Sequence, residues 1–283
     1  MSGGEEGKIR RWRVEDGREV GTPMNAGSAV GNLAVSRDGK WIVSGTTSGR
    51  VAVWDAESHL KVSEFSAHHS WVRVVDVSPD ATRIATGSKD RTVCVWSLST
   101  GQRLLGPLQH NSSIGAVKFS LDGHLLATAT WWRDSVRIYD AQNSNLHIEV
   151  PIKVNSALNQ SLAWANDSKR LFALSCDGYI TCLDVSSGTM LTQWRIHNDK
   201  QARCIALPNN STFIAASAES SFSIWDTTTQ KQIGPIIEHT PVIASMAISV
   251  NNNIVTSGGK KISLRDIYDL IPLTYYKDVS ALR

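Results

Sequence analysis

Histidine beside aspartate is a common pairing for moving protons at neutral pH. This chain places His68 and Asp90, then His110 and Asp134, in stretches otherwise built of apolar and small residues. An imidazole held by a carboxylate can serve as a general base, and a nearby Ser or Thr hydroxyl as its nucleophile. The supporting motifs for such chemistry are missing. The sequence has no Gly-x-Ser-x-Gly elbow, no phosphate loop and no His-Glu-x-x-His zinc motif. The Gly-rich stretches "SGTTSG" (residues 44–49) and "TSGGKK" (residues 256–261) each fall where a tight turn is needed, so they read as hairpin turns, with Lys260 and Lys261 as solvated charges. Four cysteines (Cys94, Cys176, Cys182, Cys204) lack C-x-x-C spacing and read as reduced, buried thiols. No cofactor and no metal is implied.

The elements that position these residues come from a repeat. Segments such as "VAVWD", "VCVWS", "VRIYD", "ITCLD" and "FSIWD" alternate with the two-residue period of a strand. They mark Trp12, Trp54, Trp96, Tyr139, Leu183, Trp225 and Leu264, with spacings of 42, 42, 43, 44, 42 and 39 residues. Ahead of the marks lie turn tetrapeptides: "SRDG" from Ser36, "SPDA" from Ser78, "SLDG" from Ser120 and "ANDS" from Ala165. Further ahead lie His68, His110, His197 and His239. Each period therefore reads as four short strands joined by turns, and no helical periodicity competes.

Composition narrows the function. The chain has 283 residues, 41% hydrophobic and 19% charged, enough for a large all-β core. A formal net charge of +3 is too balanced to point to nucleic acid. No apolar run reaches the ~20 residues of a membrane span, and the N-terminal residues lack the apolar segment of a secretion signal. The expected setting is intracellular, in cytoplasm or nucleus.

The phased combination of His68, "SPD", "ATGSKD" and "RTVCVW" resembles the WD-repeat family, and the likeness runs along nearly the whole chain. It implies a β-propeller of four-stranded antiparallel blades. It further implies that the inner-loop His, a second-strand Ser or Thr, the turn Asp and the third-strand Trp form a hydrogen-bonded structural set. His68, Thr86, Asp90 and Trp96 match that set in full, and His110, Thr130, Asp134 and Tyr139 match it nearly. Ser48 and Glu219 stand at the Asp place elsewhere, and Lys153 near the His place. By this reading His68 and Asp90 are structural rather than catalytic.

Ser2 to Trp12 aligns place for place with Ser44 to Trp54. The expected layout is a single domain with about seven blade positions, the first incomplete: an outer half-blade at 1–24, six blades over 25–270, and a tail or closing strand at 271–283. A six-blade ring that uses residues 18–22 as its last outer strand is the alternative.

Trp71, Trp131 and Trp132 have no place in the repeat. They fall in the loops of the His and Asp residues, beside Arg73, Lys89, Arg133, Leu158, Gln160, Gln201 and Arg203. In the family that face surrounds the channel mouth and usually receives partners. Trp and Arg are the residue types richest in interface hot spots. The expected function is a non-catalytic scaffold that binds partner proteins or peptides, acidic or phosphorylated ones, through Trp71, Arg73, Lys89, Trp131, Trp132, Arg133, Gln160 and Arg203. It would suit the recognition part of a longer signalling or immune-type receptor. One alternative is that Trp71 simply packs on Trp131 or Trp132. Another is a propeller enzyme or small-molecule binder that uses the central channel.

Overall fold

Six of the seven marks lie in strands, and Trp12 makes an isolated bridge to Glu19, in a computed structural model of the chain, which describes residues 1–13, 16–131, 135–152, 161–175, 177–196, 202–208, 210–249, 253–259 and 261–271. The described residues make seven antiparallel sheets in chain order. The first contains β1 (Ser2–Gly3), β2 (Lys8–Arg10) and β3 (Met24–Asn25). The second contains β4 (Val30–Val35), β5 (Trp41–Thr46), β6 (Arg50–Asp55) and β7 (Lys61–Ser66). The third contains β8 (Val72–Val77), β9 (Arg83–Ser88), β10 (Thr92–Ser97) and β11 (Arg103–Gln109). The fourth contains β12 (Ile114–Phe119), β13 (Leu125–Thr130), β14 (Val136–Asp140) and β15 (Leu146–Val150). The fifth contains β16 (Leu162–Trp164), β17 (Arg170–Leu174), β18 (Tyr179–Asp184) and β19 (Met190–Arg195). The sixth contains β20 (Ala202–Ala206), β21 (Phe213–Ala218), β22 (Ser221–Asp226) and β23 (Gln232–Glu238). The seventh contains β24 (Ser245–Ile248), β25 (Asn253–Gly258) and β26 (Lys261–Asp266), and a single 3-10 turn follows at Ile267–Asp269. Two compact units divide the chain, Met1–Leu162 and Ala163–Arg283.

The anticipated turn tetrapeptides do join the first two strands of their sheets. Ser36, Ser78 and Ser120 each donate a hydroxyl to the Asp two residues on, at 2.5 Å. The chain turns through positive φ at Gly39, Ala81, Gly123 and Ser168. In the first sheet Trp12 Nε1 donates to Ser2 Oγ at 2.8 Å, as Trp54 Nε1 does to Ser44 Oγ at 2.9 Å. That match supports the register read from the two sequences. The segment read as an alternative last outer strand pairs locally: Arg13 and Val20 amides bond to the Arg18 and Arg11 carbonyls. The strand beside β2 is instead Met24–Asn25, one residue past the 1–24 boundary.

Within unit 1 the central strands bury both faces, so successive residues serve different cores. In β10, Cys94 and Trp96 pack with Val43, Val51 and Val53 of the second sheet, whereas Val93 and Val95 pack with Ile114, Val117 and Phe119 of the fourth. Double burial explains why these strands read as almost continuously apolar. In unit 2 the same alternation sets Ile180 and Cys182 beside Phe172, Trp194, Ile205 and Ile214.

Two bulges recur. The innermost strands skip one residue: Val72 pairs Ser88 and Val74 pairs Gly87, which leaves Arg73 extra. The same slip leaves out Gly31, Gly115 and Arg203. The outermost strands skip Val62, Leu104, His147 and Leu191, all exposed, opposite the marks.

Candidate functional site

The third sheet carries a continuous hydrogen-bond relay. Trp96 Nε1 donates to Thr86 Oγ1 at 2.8 Å. The Thr86 hydroxyl meets His68 Nε2 at 2.7 Å, and His68 Nδ1 meets Asp90 Oδ2 at 3.0 Å. A carboxylate only accepts, so Nδ1 carries the proton and Nε2 accepts from the Thr86 O–H. The backbone N–H of His69 and both the N–H and O–H of Thr92 complete the Asp90 carboxylate. Burial pushes the His68 imidazole below its ordinary value, against the raising effect of Asp90. For Asp90, burial works upward, but the Thr92 bonds and His68 bring the carboxyl below its usual range. The His68 side chain is 1% exposed and both ring nitrogens are engaged. It has no free edge for a substrate proton, so the general-base arrangement fails and the four residues work as a cross-link between two loops.

The three described thiols are equally unsuited to attack. Burial raises Cys94 and Cys182 to about 11 and Cys204 to about 12. Among the described residues no group of three or more His, Cys, Asp or Glu side chains is arranged to hold a metal ion. Among the described residues no helix is long and apolar enough to cross a membrane.

A second cluster lies in the loops beside the relay. The Arg73 guanidinium carbon sits 3.3 Å from the Trp131 ring centroid and 5.1 Å from that of Trp71. Arg73 is 8% exposed, and burial lowers its guanidinium to about 10, which leaves it charged at neutral pH. Arg73 Nη1, Trp71 Nε1 and Trp131 Nε1 are buried with no hydrogen-bond partner among the described residues. Backbone bonds fix both tryptophans: the Lys89 N–H donates to Trp71 O at 2.9 Å, and the Trp131 N–H to Ser113 O at 2.8 Å. Trp131 therefore occupies in the fourth sheet the place Lys89 has in the third. Trp71 also depends on Gly31, where an added Cβ would come within 2.3 Å of Trp71 Nε1 and 2.6 Å of Val72 O.

The sequence profile of the WD domain, G-beta repeat, matches residues 19–55, 60–97 and 102–140. Residues 19–140 therefore carry three WD repeats. No curated protein matches it. Among solved structures, the WD40 repeats of RRP9 superimpose with a TM-score of 0.80 at 18% identity, covering 92% of this chain and 83% of that one. The structure of U3-55K gives the same score and identity, over 92% of this chain and 84% of its own. At that identity the likeness shows the fold: the antiparallel sheets are blades of a seven-bladed β-propeller.

Of the WD-repeat residues expected to form the hydrogen-bonded set, His68, Thr86, Asp90 and Trp96 all meet. The fourth sheet needs a correction: Thr128, not Thr130, faces His110, with Oγ1 3.5 Å from Nε2. Thr128 lies opposite Arg137 as Thr86 lies opposite Cys94, two pairs from the mark in each hairpin. Of the expected docking residues, Trp71, Arg73 and Trp131 come together, while Lys89 is exposed on the adjoining loop. The alternative that Trp71 packs on Trp131 is modified, because Arg73 stands between them. Arg203 holds the equivalent bulge in the second unit, its Nε buried and without a partner among the described residues. Trp132, Arg133, Asp134, Lys153, Leu158, Gln160, Cys176, His197 and Gln201 lie outside the described residues, as do 272–283. Sequence reasoning missed Thr92 and Gly31. An Asp followed two residues later by Thr is a local signal for the first; no local signal exists for the second.

Proposed function

We propose that this WD-repeat chain is a non-catalytic platform that binds partner proteins or peptides on the loop face carrying Trp71, Arg73, Lys89 and Trp131. The observation behind this reading is the uneven satisfaction of two neighbouring polar clusters. The His68–Asp90 relay uses its donors fully. The Trp71–Arg73–Trp131 stack leaves three buried donors without an acceptor among the described residues. Unmade bonds of that kind cost roughly 1–3 kcal/mol each, so their retention in a loop region suits binding better than stability. Trp and Arg are also the side chains that anchor interfaces. The RRP9 and U3-55K structures support the fold of the platform and nothing finer.

The test is affinity capture with the native chain and with a Trp71→Ala/Trp131→Ala variant, quantified by mass spectrometry. Proteins that bind the native chain should be depleted at least tenfold on the variant, with circular dichroism unchanged. An identical partner set would refute the surface.

A further inference from the structure

A β-bulge adds one residue to a strand and turns its side chain away from the regular alternation. In the first unit the innermost strands of three sheets carry this bulge at equivalent places, occupied by Gly31, Arg73 and Gly115. Glycine serves the backbone there at no cost. The third sheet instead places a long cation at the site, and two aromatic rings hold it.

The chemistry of this stack is one-sided. Its polar atoms at Trp71 Nε1, Arg73 Nη1 and Trp131 Nε1 all donate, and none can accept. Arg73 has no ion pair among the described residues, and a buried cation without a counter-charge is costly to keep. Indole faces relieve part of that cost by cation–π attraction, but they supply no hydrogen-bond acceptor in the guanidinium plane. A carboxylate supplies both acceptors and one negative charge, and matches the guanidinium fork in geometry. A phosphate dianion would leave an excess negative charge in the same enclosure. Trp131 lies nearest the guanidinium, at 3.3 Å. Its indole covers a face of the guanidinium and leaves the in-plane edge for an acceptor.

We propose that Arg73, aimed by its bulge and clamped by Trp71 and Trp131, is the anchor for a Glu or Asp side chain of a partner peptide. This rests on the docking surface proposed above and assigns its ligand class. Gly31 becomes a positioning residue, because a side chain there drives the Trp71 indole off the stack.

The experiment selects a displayed random-peptide library on the native full chain, then measures the enriched peptides by calorimetry against variants. Enriched peptides should share an acidic residue. Replacing that residue with Gln or Asn should weaken binding at least tenfold, and Arg73→Met should remove the same factor. After Arg73→Met, the acidic and amide peptides should bind alike. Gly31→Ala should also weaken the acidic peptide while leaving the net charge untouched. Thermal unfolding of each variant controls for folding, and Arg73→Lys, which keeps the charge but loses the fork, should recover only part of the affinity. Peptides that depend on Trp71 but tolerate Arg73→Met, or that carry phosphoserine or no acid, overturn the carboxylate anchor and leave the docking surface standing. Peptides indifferent to both Trp71→Ala and Arg73→Met, or no enrichment at all, overturn both.

Discussion

The third and fourth sheets are built from the same repeat yet hold their loops in different ways. In the third, Thr86 joins an indole to an imidazole through bonds of 2.8 and 2.7 Å. In the fourth, Tyr139 stands where Trp96 would, and Thr128 approaches His110 only to 3.5 Å. The aromatic contact survives, with ring centroids 6.1 Å apart against 6.5 Å in the third sheet. The hydroxyl–imidazole contact is looser, at 3.5 Å against 2.7 Å. Shape is thus the tolerant part of the repeat, and an unbroken relay of donors and acceptors is the demanding part.

The largest expected break in that comparison comes from Thr86→Val. It keeps the volume and leaves the Trp96 N–H and the His68 Nε2 lone pair unmatched, for a loss of about 2–4 kcal/mol by denaturant unfolding. Thr128→Val should lose about 1 kcal/mol or less. Equal losses at the two positions would dissolve the distinction. Next is Gly87→Ala. Its Cβ would meet Ile114 Cγ2 at 2.4 Å and Val74 Cγ1 at 2.8 Å, an overpacking worth about 1–3 kcal/mol. The fourth sheet already carries Ala129, fully buried, at the matching place, so Ala129→Gly should destabilise through the lost methyl burial and the added flexibility, by roughly 1–2 kcal/mol.

A smaller effect is read by pH. The folded state holds His68 below its ordinary value, chiefly by burial. Its contribution is therefore full above the unfolded value of about 6.5 and is lost as pH falls from there through the lower folded value. The melting-temperature gap between the native chain and His68→Asn should narrow from pH 7 to pH 5. A gap that widens over this interval would contradict the neutral, enclosed imidazole. The smallest effect belongs to Arg73→Met. Removal of an unpaired buried cation should leave the unfolding midpoint unchanged or raise it slightly, in contrast to every substitution in the relay.

Sequence legibility followed the same division. Turn tetrapeptides and marks could be read because they recur in a fixed phase, and they placed His68, Thr86, Asp90 and Trp96 correctly. The phase slipped in the fourth sheet, where the loop before Tyr139 is one residue longer than its counterpart. Thr130 was then expected in the place that strand register gives to Thr128. The role of Arg73 as a clamped cation was not legible, since its two rings come from Trp71, its close neighbour, and Trp131 in another blade. Composition marked the three as candidates, and only the fold could put one between the other two. Trp225 shows the opposite limit: it stands at a mark, yet its indole bonds Ser223 on its own strand rather than a neighbouring strand.

The extra residue in the outermost strands works against edge-to-edge pairing with another strand. A foreign strand laid along such an edge needs an unbroken ladder of evenly spaced amides and carbonyls. Val62, Leu104, His147 and Leu191 interrupt that ladder at one common level in four sheets. Three of them are exposed aliphatic side chains, which on a flat edge would invite fibril growth. On a kinked edge they cannot be stacked in line, and the chain can carry greasy rims without polymerising through them.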